Sequence, residues 1–456
     1  MTGTRRGARG HGQRPATPTG TTAARDERWP GPPAGNLRRV GALVTIAAAG
    51  LAGLVVGAAA VVGIQDAGSR PAPAPRATPA TGPARSDAVG PAAASPDPGG
   101  SGPATAVPPA PTPSVLLAWT PQGLDPGLAV AADVDPAVTA TSVVRGGPVD
   151  LVSSRDAGGA PVDGLASGWA IPLDALAIDP AAHAGFVSIA DQAAVTALGE
   201  GEALLGATSA GLRRLEPGGV IELAGGRSLT VAAVVSDTAI GGAELAVDVA
   251  TGEGLGVDTA RYLLAAYAGD RAGLEQRLRA ALTAGTAVRF RGPGETPFLR
   301  HGDAVLPQAQ IKEQFGEFAY RPGSGGDAFV QDPAWQAANL TTVELPIVGA
   351  ARCHRLVVDA LAGALGDVVA ANLGDLIDPE GFAGCWNPRT TRGSTSVSHH
   401  AWGVAVDINA TANPTGLASV QDPRLLAIFA RWGFTDGSDW LVPDAGHIEY
   451  VAPPGG

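Results

Sequence analysis

Lysine is almost missing from this chain: Lys312 is its one example, and every other basic residue is arginine. Alanine, with 64 glycines and 39 prolines, takes much of the remaining composition, so an alanine run says little about helix by itself and motif spacing has to carry the reading. Cysteine is nearly as scarce. Cys353 and Cys385 are too few for a disulfide-rich scaffold, and one Cys-x31-Cys pair lacks the spacing of a zinc knuckle. Joint thiolate ligation of a metal is the weaker reading; one bridge in an exported region is the stronger. Positive charge is also confined. The net charge is −12, yet residues 1–39 hold eight arginines against Asp26 and Glu27, a local +6 that leaves −18 on the rest. A body that acidic is a poor partner for a phosphate backbone, so no nucleic-acid partner is expected.

One long uncharged run is present. Val40–Ile64 is 25 residues of mainly Ala, Val, Leu, Gly and Ile, long enough at about 1.5 Å per residue to span a hydrocarbon core of roughly 30 Å. Arg38 and Arg39 precede it, which by the positive-inside rule places the N-terminus in the cytoplasm and the rest outside. Ala58-Ala59-Ala60 leaves a cleaved signal peptide as the rival, although secretory apolar regions usually run only about 7–15 residues. Residues 65–113 are Pro/Ala/Gly/Ser-rich, too poor in large apolar side chains to fold, and read as a tether.

Ordered sequence starts near Ser114. Val220–Leu223, Gly225-Gly226 and Leu229–Val235 read as a β-hairpin. Asp270 can cap a helix in which Leu274, Leu278 and Leu282 recur every four residues and Gly285 ends the run. His183 is the only histidine of this stretch, and no catalytic constellation accompanies it. In texture, though not in any motif, the stretch resembles the extracytoplasmic domain of FtsX/MacB-type permeases. A further helix is expected over 353–371, with Leu356, Ala360, Ala364 and Val368 on one stripe.

The chemistry is concentrated at the end. Ser398-His399-His400-Ala401-Trp402-Gly403 leads into Val404–Ile408, an apolar run that should be a strand carrying Asp407. Some forty residues later Asp444-Ala445-Gly446-His447-Ile448-Glu449-Tyr450 leads into a second strand, with His447 and Glu449 on one face. If the two strands pair, Asp407 and His447 converge and His400 arrives from the preceding loop. Two imidazoles and a carboxylate with a fourth position left open are the donor set of a catalytic Zn²⁺ site. Asp444, three residues before His447, supplies a carboxylate free to act as general base. Singly, His-x6-Asp or Asp-x2-His would most often be surface chemistry; the nested set is what gives the signal. His399 also could reach a metal, but neighbours on an extended segment point opposite ways. Glu449 would orient an imidazole or the substrate amine, or else face solvent. Trp402 and Trp440 would wall a cleft or pack in the core, and His354 would support the fold.

This nested pattern resembles the zinc D-alanyl-D-alanine carboxypeptidase and L-alanyl-D-glutamate peptidase family, which includes VanX, VanY and phage endolysins, over roughly residues 305–452. The resemblance implies that His400, Asp407 and His447 ligate zinc and that Asp444 is the base. Gly384-Cys385-Trp386-Asn387-Pro388-Arg389 is similar to the loop that brings an arginine to the scissile carbonyl, which implies an oxyanion role for Arg389 rather than Arg392. Aspartate at 444, where others have glutamate, is similar to the branch cutting L-Ala–D-Glu bonds.

The expected chain is therefore α+β. It runs from a disordered cytoplasmic basic tail (1–39) through a transmembrane helix (40–64) and a linker (65–113). A β-rich α+β accessory domain (114–295) follows, and then a zinc peptidase domain (305–456) with a small antiparallel sheet and flanking helices. Its expected place is the cell membrane, single-pass with the catalytic part outside, and its expected substrates are peptidoglycan stem peptides. The rival function is a non-catalytic wall-binding or sensor module on the same scaffold.

Overall fold

Runs of small apolar residues build the larger of two layers. The computed structural model describes residues 114–323, 326–391 and 394–452. In it, ten strands form one sheet: β1 (Ser114–Trp119), β2 (Val138–Arg155), β3 (Pro161–Gly164), β4 (Ile171–Ile178), β5 (Glu202–Gly206), β6 (Val220–Leu223), β7 (Arg227–Val235), β8 (Leu245–Asp248), β9 (Ala260–Tyr267) and β10 (Arg289–Arg291). Their order is β10-β1-β9-β2-β4-β8-β5-β7-β6. β6 pairs back onto the far end of β2, so the six strands from β2 to β6 close on themselves. β2 can serve both ends because it is 18 residues long. Its first half pairs β9 and its second half pairs β4 and β6. β4 is buried along nearly its whole length, hence its almost unbroken apolar sequence.

The expected hairpin is present as β6–β7, with Leu223 opposite Arg227 across the glycine turn. The expected helix runs Arg271–Ala280 with Asp270 capping two amides. It buries Leu274 and Leu278 and stops before Leu282.

The C-terminal layer adds β11 (Tyr320–Pro322), β12 (Phe329–Gln331), β13 (Leu340–Leu345), β14 (Gly349–His354), β15 (Ala405–Asp407), β16 (Phe434–Gly437) and β17 (Asp444–Tyr450). Its core gathers around the helix Val358–Ala370, whose Leu361, Ala364, Leu365 and Val368 are fully buried. That helix begins later than its leucine spacing suggests. Cys353 and His354 finish β14, paired with β13, and Leu356 is 62% exposed rather than part of the stripe. Ala351 and Cys353 alternate as buried strand residues, so cross-strand pairing overrides the helical period there. Cys353 is bonded to Cys385, tying β14 to the loop that leads to the site.

The two layers share buried charge. Lys312, on the helix Gln308–Phe315, lies 2.8 Å from Glu244 and 3.0 Å from Glu317, with no exposure of its own side chain. Arg213 completes the quartet, 3.3 Å from Glu244 and paired with Glu317. Two cations facing two carboxylates leave the quartet neutral, which is what lets it be buried.

The expected membrane placement is corrected. Among the described residues no helix is long and apolar enough to cross a membrane. The expected span at 40–64, the basic tail at 1–39 and the linker at 65–113 all lie outside the described residues. Among the described residues the architecture is mixed α+β, with no membrane-crossing helix.

Candidate metal centre

β17 is the middle strand of a three-stranded sheet, between β15 and β16. β15 and β17 run antiparallel with Asp407 directly opposite His447 and Ala405 opposite Glu449. On the β16 side the ladder passes from Asp436 opposite Ile448 to Gly437 opposite Asp444, so the strand bulges between Asp444 and Ile448. Simple alternation therefore does not fix the direction of Asp444.

His400 comes from a 3-10 turn, His399–Trp402, rather than from an extended segment. Gly403 closes that turn at φ 70°, and a Cβ there would sit 2.9 Å from the amide nitrogen of His354, so only glycine fits. Trp402 is wholly buried beneath it, its indole donating to the Gly316 carbonyl and packing on Phe318. It is core, not cleft wall. The turn also brings His399 inward: its Nδ1 is 2.6 Å from Glu449 Oε2.

His400, Asp407 and His447 each offer one ligand atom, and these atoms lie within 4.8 Å of one another. Asp407 Oδ1 is 3.3 Å from His400 Nε2 and 3.4 Å from His447 Nδ1. Ligands about 2.0–2.1 Å from a tetrahedral zinc ion are about 3.3–3.4 Å apart, so the two Asp407–imidazole separations fit that ion. A second observation agrees: His400 Nε2 is buried and makes no aligned hydrogen bond, a vacancy of partnership that buried nitrogen does not usually tolerate.

The electrostatics favour positive charge. Burial alone would raise the Asp407 pKa, but the two approaching imidazoles outweigh it and hold the carboxylate ionised well below its ordinary range. Burial would lower the His447 pKa, yet Asp407 and Glu449 outweigh it and raise it to about 10. Carboxylates that hold a proton on His447 would equally favour a cation in its place.

The other expected residues are placed as follows. Asp444 opens β17, half-buried, and Thr415 Oγ1 donates to its Oδ1 at 3.0 Å. Arg389 is joined to the site through its main chain, its carbonyl accepting from Ser398 N at 3.1 Å; its guanidinium donates to Thr390 O at 3.2 Å. Arg392 lies outside the described residues. Trp440 packs against His447, ring centroids 5.2 Å apart at 47°. Trp386 donates to Gln331 and is covered by the Arg352 guanidinium, and His354 Nε2 donates to the Phe315 carbonyl in the core. Glu449 is buried and lies 3.2 Å from His447 Nε2, the imidazole-orienting place expected of it; its bond to His399 and the Thr415 contact are additions from the structure.

Two imidazoles and one carboxylate converge on a small antiparallel sheet as a group that could hold a metal ion. Residues 392–450 match the family model of D-alanyl-D-alanine carboxypeptidase, the family that the nested motif resembles, and this segment contains all three converging residues and Asp444. No curated protein matches the chain. The crystal structure of the periplasmic region of MacB from Actinobacillus actinomycetemcomitans is similar at 11% identity, over 39% of this chain and 88% of that one, with a TM-score of 0.28. A similarity that slight carries no argument about this chain.

Proposed function

We propose that the C-terminal part of this chain is a zinc-dependent peptidase that hydrolyses peptide bonds in peptidoglycan stem peptides. The observation that carries this reading is the convergence of His400, Asp407 and His447 inside the segment matched to the carboxypeptidase family. These three side chains would hold the ion. When bound, zinc supplies Lewis acidity and makes water a nucleophile near neutral pH.

The chain's own groups then divide the work. Asp444 takes a proton from the attacking water and returns it to the leaving amine. Thr415, donating to one oxygen, leaves the other oxygen of that carboxylate for the proton. Arg389 holds the negative charge that develops on the scissile carbonyl oxygen, which requires its guanidinium to exchange the Thr390 carbonyl for substrate. Trp440 shields one side of His447 from water. The bond cut is D-Ala–D-Ala or L-Ala–D-Glu; aspartate rather than glutamate at 444 resembles the branch that cuts the latter.

The test uses the full chain and purified muropeptides, with products identified by mass spectrometry. Asp444→Asn should retain one zinc per chain and lose turnover, whereas unchanged turnover removes Asp444 from this role. Arg389→Ala should keep zinc and lose about 10²–10³ in turnover; an unaffected rate rejects the oxyanion assignment. Wild-type chain that carries zinc yet releases no product would sink the peptidase reading and leave a wall-binding module.

A further inference from the structure

The turn between β16 and β17, residues 438–443, bears the Trp440 indole that packs on His447. Its local bonds are few: Trp440 N donates to Gly437 O, and Ser438 N to Asp436 Oδ1. Much of its anchorage comes from the other layer. Leu441 N donates to Asp303 Oδ2 at 2.6 Å, and Arg289 Nη2 donates to Asp439 O at 2.6 Å. The Leu441 side chain packs onto the core of the ten-stranded sheet, with Trp119, Ile240 and Tyr262. Asp303 is itself fixed, 5% exposed and paired with both Arg289, at 2.7 Å, and Arg291 of β10. Two residues on, Val305 N donates to Glu449 Oε1 at 3.3 Å, behind the same imidazole.

We propose that Asp303 is a positioning residue for the metal centre. Gripped by two arginines of β10, it fixes the Leu441 amide and so holds Trp440 against His447, which makes the ten-stranded sheet part of the frame of the site. Charge-assisted bonds of this kind are directional and strong, and a wall residue displaced by about 1 Å can cost up to about a hundredfold in rate. The clamp's bonds run to the turn and to β10. Its consequence for catalysis rests on the peptidase reading above, but its consequence for the turn does not.

Two measurements separate those layers. The first is amide hydrogen exchange on the full-length protein. Asp303→Ala should lose protection in the peptide covering 437–444, while β4 and β9 stay protected; unchanged protection at Leu441 overturns the proposal whatever the activity. Arg289→Ala, at a partly exposed position, should loosen the same peptide and serves if Asp303→Ala fails to fold. The second is a double-mutant cycle on muropeptide turnover. Asp303→Ala and Trp440→Ala should each lower kcat/KM about tenfold or more with zinc content retained, and the double variant should be little worse than either single. Multiplying losses would show that Asp303 does not act through Trp440. Loss of exchange protection with no muropeptide activity even in wild type would instead uphold the clamp and reject the peptidase reading.

Discussion

Asp407 stands directly opposite His447 across the β15–β17 pair, and its Oδ1 lies between two imidazole nitrogens, 3.3 Å from His400 and 3.4 Å from His447. Without a cation, two imidazoles crowd one carboxylate oxygen, and one of their buried nitrogens lacks an aligned partner. The arrangement therefore predicts that metal stabilises the fold as well as serving chemistry. The purified chain should hold one zinc, and Asp407→Ala should not retain it. Chelation should lower the thermal midpoint, and added zinc should restore it. At a hundredfold excess of free zinc over its dissociation constant, the stabilisation is about 2.7 kcal/mol. A midpoint indifferent to chelator and zinc would reject the site.

Lys312, the chain's single lysine, has no exposed side-chain surface, and its ammonium faces Glu244, equally buried. Removing one partner of a buried pair strands the other, at a cost of about 3–5 kcal/mol. Lys312→Met should therefore shift the urea midpoint strongly downwards. Adding Glu244→Gln should recover part of the loss, since the stranded charge is then gone. A single variant as stable as wild type would mean that the quartet is not closed as described.

The reach of the sequence was uneven, for a physical reason. His400 and Asp407 sit seven residues apart, and Asp444, His447 and Glu449 within six, so chain geometry alone brings each group to one end of a short strand. Pairing those two strands is the one long-range step needed; the sequence marks each strand, and the structure supplies the pairing. The hairpin of β6 and β7 and the helix after Asp270 are likewise local. What was not legible depends on distant partners without a motif. Leu441 reaches Asp303 across 138 residues, and Lys312 reaches Glu244 across 68. The helix start was misplaced because Cys353 answers to its strand partner and to Cys385, not to the leucine period. His399 was expected to face away on extended chain; the 3-10 turn ended by Gly403 swings it onto Glu449 instead.

His301 gives the acid sensitivity of the layer boundary. Its ring stacks on Tyr262, with centroids 5.9 Å apart at 20°, and its buried Nδ1 has no hydrogen-bond partner. Burial lowers its pKa from the ordinary 6.5 to about 3, with the nearby Arg300, Arg261 and Arg291 adding to the shift. As pH falls, the unfolded chain binds this proton first. The ring's contribution is therefore complete above about pH 6.5 and is lost progressively below it, by on the order of 1 kcal/mol per pH unit until about pH 3. Asp174 works the other way: burial, then the charge of Glu244, raises its pKa to about 6, so protonation below that pH favours the folded state. The total stability curve mixes the two, and the informative quantity is the difference from a His301→Phe variant, which keeps the aromatic stack and cannot titrate. Thermal midpoints of the two proteins should run parallel above pH 6.5. Below it the wild type should fall away from the variant, and curves that stay parallel down to pH 4.5 would show that His301 is not held neutral in the fold.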